Sequence, residues 1–289
     1  MFYLIATILL NVVISVLFKL FPKYKIDTLQ AIVANYCVCV VTGCISIGHI
    51  PFSGATLHAD WLPWGVVMGC AFIAIFNMLA YSTRVDGITT TIIASKLSLV
   101  IPVLFSLIVY KEHATIAKIV GVLLAFPAVY LTTRVEGDDH KPQSLLWPVL
   151  IFIGGGFLDT VTNYVQLHFL ATADVQATYA TFVFGIAALA GLMLIVVLLA
   201  LKKIKLQWKN LVAGICVGVP NYFSIYFFIR ALNSNFLESS ASIPVLNIGI
   251  LAASALTAIV LFREHVNAKR IIGMALSVIA ILLIALGNK

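Results

Sequence analysis

Four stretches of the chain, Thr28–Gly48, Leu62–Thr83, Val175–Leu201 and Ser239–Phe262, run for a full bilayer width without one Asp, Glu, Lys or Arg. The hydrocarbon layer is about 30 Å thick and takes roughly 20 apolar residues of helix to cross. Backbone amides find no water there, so only helices or a closed barrel can span it. The runs are continuous rather than alternating in period two, which excludes a barrel. Of the 289 residues, 62% are hydrophobic and 10% charged, against about 45–50% and 25% in soluble domains. With a mean hydropathy of +1.09, lipid must be the solvent for most of the surface. The expected class is an all-α membrane protein.

Ten spans are expected, at roughly 2–21, 27–48, 61–83, 87–110, 115–133, 145–167, 175–200, 208–230, 236–262 and 268–287. Trp61, Trp64, Trp147 and Trp208 fall at span starts, where amphipathic rings favour the headgroup zone. The fifth span is the shortest and relies on Lys118 snorkelling near its end. The first apolar run has neither a basic leader nor a small-residue cleavage site and reads as a retained span. Net charge is +7, but the basic residues sit in short connectors, where membrane topology rather than nucleic acid accounts for them. Cys37, Cys39, Cys44, Cys70 and Cys216 lie in apolar runs without Cys-x-x-Cys spacing and read as small buried hydrophobes, with no metal site or disulfide.

The stretch from Arg134 to Pro142 is the longest polar segment between the termini and lies near mid-chain. A duplication follows from what flanks it. Residues 110–121 read Tyr-Lys-Glu-His-x4-Lys-x2-Gly, and residues 262–273 read Phe-Arg-Glu-His-x4-Arg-x2-Gly. Upstream stand two Gly-xxx-Gly pairs, Gly65/Gly69 and Gly214/Gly218, with 47 residues from Gly65 to Glu112 and 50 from Gly214 to Glu264. Matched features in one order at near-equal spacing mark an internal repeat. The expected division is a first five-helix repeat over 1–134, a polar connector over 135–144 and a second repeat over 145–289. Five is odd, so the two copies enter the membrane from opposite sides. Inverted repeats are typical of secondary transporters, whose substrate site lies near the midplane between the halves.

Thirteen Lys and Arg residues fall in connectors after odd-numbered spans and four on the opposite side, with Lys96 inside a span. Positive-inside reasoning puts the thirteen in the cytoplasm and both termini outside.

The span-4 ending Pro102-Val-Leu-Phe-Ser-Leu-Ile-Val-Tyr-Lys-Glu112 with Lys118-x2-Gly121, and its counterpart Ala255-Leu-Thr-Ala-Ile-Val-Leu-Phe-Arg-Glu264 with Arg270-x2-Gly273, resemble the drug/metabolite transporter superfamily, specifically its EamA-type members. The resemblance covers essentially the whole chain. It implies helices 1–4 and 6–9 around a central cavity, with helices 5 and 10 outside. It also implies both termini in the cytoplasm, opposite to the charge count. Substrates in the superfamily range over amino acids, drugs, sugars and nucleotide sugars.

Lys96 lies nine residues into span 4, about 14 Å along a helix and close to the bilayer centre. An uncompensated cation there costs from a few to above ten kcal/mol. It therefore either faces a cavity, binding an anionic group or taking part in coupling, or pairs with a carboxylate on another helix. Asp159 in span 6 is the other charge expected to be buried; it pairs with Lys96, titrates as a proton-coupling group, or sits near an interface. Gly154-Gly155-Gly156 before it lets helices approach closely or unwind locally, with close packing the expected reason. Asn11, Ser15, Asn77, Tyr81, Asn163, Tyr164, Asn221, Tyr222, Tyr226, Ser242 and Asn247 fall in the cavity-lining spans. Each faces either another helix or the cavity; as a group they suit a polar organic substrate. Pro102, Pro220 and Pro244 are hinge candidates or static kinks, and Pro127 kinks an outer helix. Glu112 and Glu264, at span ends beside His113 and His265, read as helix caps or bridges to their basic neighbours. Glu238 reads as interfacial.

The expected function is a secondary active transporter, an exporter by the family's commoner use, of a small polar metabolite that is anionic if Lys96 is unpaired. Coupling is to a proton or a counter-substrate. No Gly-x4-Gly-Lys-Ser/Thr motif is present, so ATP is not the direct energy source. No cofactor or metal is expected. A membrane-embedded enzyme lacks a clustered constellation here; a channel or a non-transporting receptor shares the hydropathy and is the alternative. A multi-span chain without a cleaved leader fits a bacterial inner membrane.

Overall fold

The computed structural model describes residues 2–52, 54–109, 115–133, 145–170, 172–232, 239–264 and 267–287. Every regular element among them is helical: α1 (Phe2–Leu20), α2 (Thr28–Ile47), the single turn α3 (Gly54–Leu57), α4 (Leu62–Val85), α5 (Ile88–Leu97), α6 (Val100–Val109), α7 (Ile116–Thr133), α8 (Leu146–Phe169), α9 (Ala173–Ala200), α10 (Trp208–Leu232), α11 (Ser239–Phe262) and α12 (Ala268–Leu286). Eight runs are long and apolar enough to cross a membrane, with α5 and α6 together forming one of them over Ile88–Val109; α7 and α11 contribute shorter apolar runs, Ile116–Leu131 and Leu246–Phe262. This is the construction of a multi-pass membrane protein. The connector 135–144, Glu112, His113, Glu238 and His265 lie outside the described residues, as do the side chains of Ser242 and Pro244.

Local chemistry sets the helix ends. The Asp27 carboxylate accepts from the Gln30 amide at 2.9 Å to open α2, and Gly48, at φ 76°, closes it. Thr172 opens α9 and Asn267 opens α12 in the same way. Pro63 sits in the first turn of α4, where its missing N–H costs nothing.

One expected span is broken. Between α5 and α6 the regular helical hydrogen bonding lapses at Ser98 and Leu99, although Ser98 itself keeps right-handed helical backbone angles, φ −55° and ψ −21°. Pro102 is the cause: it has no N–H for the Ser98 carbonyl and its ring crowds that carbonyl. The Ile101 amide donates to the Ser98 carbonyl instead, at 2.9 Å, one residue short of α-helical spacing. Pro127 and Pro220 sit inside continuous α7 and α10, and α11 is continuous through Pro244.

The Gly-xxx-Gly pairs pack helices closely, as expected. A Cβ at Gly65 or Gly69 of α4 would collide with Phe182 or Ile186 of α9; at Gly214 or Gly218 of α10 it would collide with Ala34 or Val38 of α2. Without glycine at these positions the backbones could not approach this closely. The two contacts are extended, and α2 and α9 also pack on each other. The helices α7 and α12 pair along their length, with Gly121 against Ala280 and Ile284. Lys118 does not snorkel outward: it is 5% exposed, its stem lying against Gly287. Trp61 is likewise buried, edge-on to Tyr179 and Phe182, whereas Trp208 is exposed. Of the five cysteines, all free, only Cys39 is buried; Cys70 and Cys216 are exposed on the apolar surface.

Candidate functional site

The second half of α8 differs from the first half on one face. Along the first half, Pro148, Ile151, Phe152 and Gly155 are buried or half-buried, and α5 and α6 pack against this helix. Gly155 admits the Ser98 side chain and Gly156 admits Ile101, while Gly154 admits Ile75 of α4. The triple glycine thus seats the broken helix against α8. One turn further on, the same face carries Asp159, Thr162, Asn163 and Gln166, at i, i+3, i+4 and i+7, and all four are exposed. The lipid-type face lies elsewhere on α8, at Leu146, Val149, Ile153 and Phe157. A polar exposed stripe continuing a packed face marks where the helices part.

Asp159 sits where that opening begins. Its side chain is exposed, with the Ser98 side chain against it. The Ser98 hydroxyl, on the helix break, lies 3.3 Å from Asp159 Oδ2 and 2.6 Å from the Ser95 carbonyl; its single proton serves one of these acceptors at a time. Lys96, two residues before the break, is half-buried and feels the Asp159 charge without closing to ion-pair distance. The site therefore holds a cation and a carboxylate on two facing helices, near each other, not neutralising each other by direct contact, with solvent reaching both.

The structure distributes the remaining candidates over several environments. Asn163 shares the Asp159 stripe, and neither it nor half-buried Asn247 of α11 makes a side-chain hydrogen bond among the described residues. Asn11 and Asn77 donate to carbonyls one turn back, of Thr7 at 2.9 Å and Ile73 at 2.7 Å, and are half-buried; Ser15, buried, points to the Asn11 carbonyl. Asn221 is used between helices: its amide donates to Asn35 Oδ1 at 3.1 Å, and Cys39 completes a buried α2–α10 contact. Tyr81 is not beside Asp159. Its ring packs at a tilt on Trp147, centroids 4.6 Å apart, with the Arg84 guanidinium 5.0 Å from its centroid, near the end of α4 and the start of α8. Tyr164 packs on Trp64 at 5.0 Å and on His168 at 4.3 Å, forming an aromatic wall at the open end. Tyr222 and Tyr226, half-buried, flank Phe223 on α10. Thr162 and Gln166 were not singled out from sequence, although their spacing from Asp159 carries the signal.

The opposite end is closed by charge. Glu264, between α11 and α12, accepts from the Ile88 amide at 2.8 Å and the Thr89 hydroxyl at 3.2 Å, capping the first turn of α5. Lys19 of α1 lies 3.5 Å from Glu264 Oε1 and donates to the Thr83 carbonyl of α4 at 3.2 Å. Arg270 of α12 lies 3.9 Å from Glu264 Oε2 and donates to Thr90 Oγ1 at 3.0 Å. The expectation that Glu264 caps the following helix or pairs with Arg263 is thus corrected: it reaches across 176 residues to the start of α5, because the unpartnered amides there attract an anion. Asp86, just outside the spans, accepts from the Ser82 hydroxyl at 2.8 Å. Partial burial holds its carboxyl above the ordinary value in spite of that bond and the Lys19 charge. No group of three or more potential metal ligands occurs among the described residues.

No family model matches the chain. An uncharacterized protein of Haemophilus influenzae is 25% identical over 285 residues, 96% of this chain and 95% of that one. A solved crystal structure aligns over 96% of this chain and 95% of its own with a TM-score of 0.56 at 14% identity, a likeness of fold alone.

Proposed function

We propose that the chain is a secondary active transporter: ten spans in two inverted five-helix halves, moving a small polar metabolite by alternating access, in the manner of EamA-type drug/metabolite transporters. The observation that carries this reading is the break at Ser98–Leu99, which sets Lys96 beside the solvent-open, carboxylate-bearing face of α8. Broken helices at mid-membrane expose unpaired backbone groups, tolerable only against protein or a water-filled cavity, and they are a recurrent substrate-site device in carriers built from inverted repeats.

Packing supports the duplicated plan. Exchanging the first five spans for the last five turns the α2–α10 contact into α9–α4, α1–α10 into α8–α4, and α1–α11 into α8–α5/α6; α2–α9, α7–α12 and α5–α11 map onto themselves. All of these contacts are present.

The substrate is a small metabolite with an anionic group for Lys96, hydrogen-bonded by amides such as Asn163 and Asn247. Asp159 is positioned to hold a cationic end or the coupling proton, and a counter-substrate is the other coupling option. Export and a bacterial inner membrane complete the reading, the latter supported by the bacterial relative. Reconstitution into liposomes tests it. A carrier gives saturable, exchange-stimulated flux of an anion-bearing metabolite, lost in Lys96→Ala. Flux that rises linearly with concentration and shows no exchange would favour a channel and sink the proposal.

A further inference from the structure

The charged cluster at the closed end joins parts of the chain that the duplication assigns to different halves. Lys19, Thr83, Ile88 and Thr89 belong to the first half; Glu264 and Arg270 belong to the second. Between them lies the start of α5, preceded by Gly87 at φ 94° and ψ 163°. That backbone region is essentially restricted to glycine, and a Cβ there would stand 2.8 Å from a Glu264 carboxylate oxygen. Glycine is thus required twice, for the turn and for the approach of the carboxylate. The helix α5 spans ten residues, about 15 Å. One end is held by Glu264, and the other ends at the Ser98–Leu99 break directly after Lys96. A short helix with a glycine joint at one end and a proline-made lapse in its hydrogen bonding at the other has the geometry of a hinged element.

We infer that Glu264 is the latch of the closed face, and that α5 is the rod that connects this latch to Lys96. This inference rests on the transport reading and specifies its moving part. With the latch made, Ser15, one turn inside Lys19 and on the same face of α1, is 3% exposed, while Asn163 at the other end is open to solvent. Releasing the Glu264 carboxylate frees the first turn of α5 and removes the anion that pairs with both Lys19 and Arg270. The rod then pivots at Gly87 and at the break, opening the face near Ser15 and moving Lys96 relative to Asp159. Glu264 acts as a positioning residue: it touches no substrate, and it selects which face is open.

Single reporter cysteines test this, with the five native cysteines replaced by alanine. Ser15→Cys reports the latched face and Asn163→Cys the other, each challenged with a membrane-impermeant maleimide added from its own side. With the latch intact, Asn163→Cys labels rapidly and Ser15→Cys slowly. Glu264→Gln keeps the shape and removes the charge. It is expected to raise Ser15→Cys labelling about tenfold and lower Asn163→Cys labelling, since losing a charge-assisted bond shifts a two-state balance by about that factor. Lys19→Gln removes one bridge and is expected to give a smaller shift in the same direction; it decides the question alone if Glu264→Gln does not fold. Well-folded latch variants with unchanged labelling at both reporters would overturn the latch. If Ser15→Cys labelling changes when substrate is added but ignores the latch variants, the latch fails and the carrier reading stands. Simultaneous labelling of both reporters at equal rates in the parent would overturn both.

Discussion

Where α1, α4 and α5 meet the α11–α12 turn, Lys19 and Arg270 each pair with Glu264, which bonds to the start of α5. At the other end, Asp159, Thr162, Asn163 and Gln166 stand on one face of α8 with solvent against them. Charged groups inside a membrane protein must be either paired or wet, because an unpaired, dry charge is too costly to keep. The molecule uses the first solution at one end and the second at the other. That asymmetry gives different surroundings to residues that look alike in the sequence. Glu264 holds helices together, whereas Asp159 is left available.

Ways to break this contrast follow, beginning with the largest effect. Lys96→Ala removes the cation at the wet end, and transport is expected to fall to background while the protein still inserts and stays monodisperse in detergent. Wild-type flux from a well-folded Lys96→Ala protein would contradict the assignment. Gly87→Ala attacks the paired end: the left-handed turn and the clash with Glu264 together are expected to cost about 2–4 kcal/mol, read as a fall in the thermal midpoint. A Gly155→Val change, which drives a branched side chain into Ser98, is expected to pry α8 from the break at a cost of about 1–3 kcal/mol and to lower affinity more than expression. The smallest effect belongs to Asp86. Its folded carboxyl binds its proton more tightly than the unfolded chain does, so the ionised form costs stability. That cost is absent below the ordinary value of 3.8 and grows as pH rises from there to the raised folded value. Asp86→Asn is therefore expected to stabilise at neutral pH by less than about 1 kcal/mol, given its exposure, and not in acid; thermal midpoints at the two pH values check it.

Much of the scaffold is legible in the sequence. Uncharged runs locate the helices, whose ends among the described residues fall within two residues of expectation. The Gly-xxx-Gly pairs are close-packing faces in both places. These features are legible because bilayer thickness and backbone satisfaction act on local stretches. The site was less legible because its parts depend on which helix stands opposite. Nothing around Asn221 names Asn35 as its partner, and nothing around Glu264 points to Ile88, 176 residues away. Two signals were present and local. Pro102 stands four residues after Ser98, which predicts a lost hydrogen bond next to Lys96. The Asp159, Asn163 and Gln166 spacing predicts one polar face where lipid would demand an apolar one.

The central claim is that Lys96 and Asp159 flank a cavity that takes a small charged metabolite. Thermal unfolding of the detergent-purified protein across a metabolite panel, with Lys96→Ala in parallel, tests it most directly. A ligand at a hundred times its dissociation constant adds about 2.7 kcal/mol of stability, a readable rise in midpoint. The account predicts that an anion-bearing compound raises the midpoint of the wild type and leaves Lys96→Ala unmoved. Equal rises in both proteins would make Lys96 structural and contradict it.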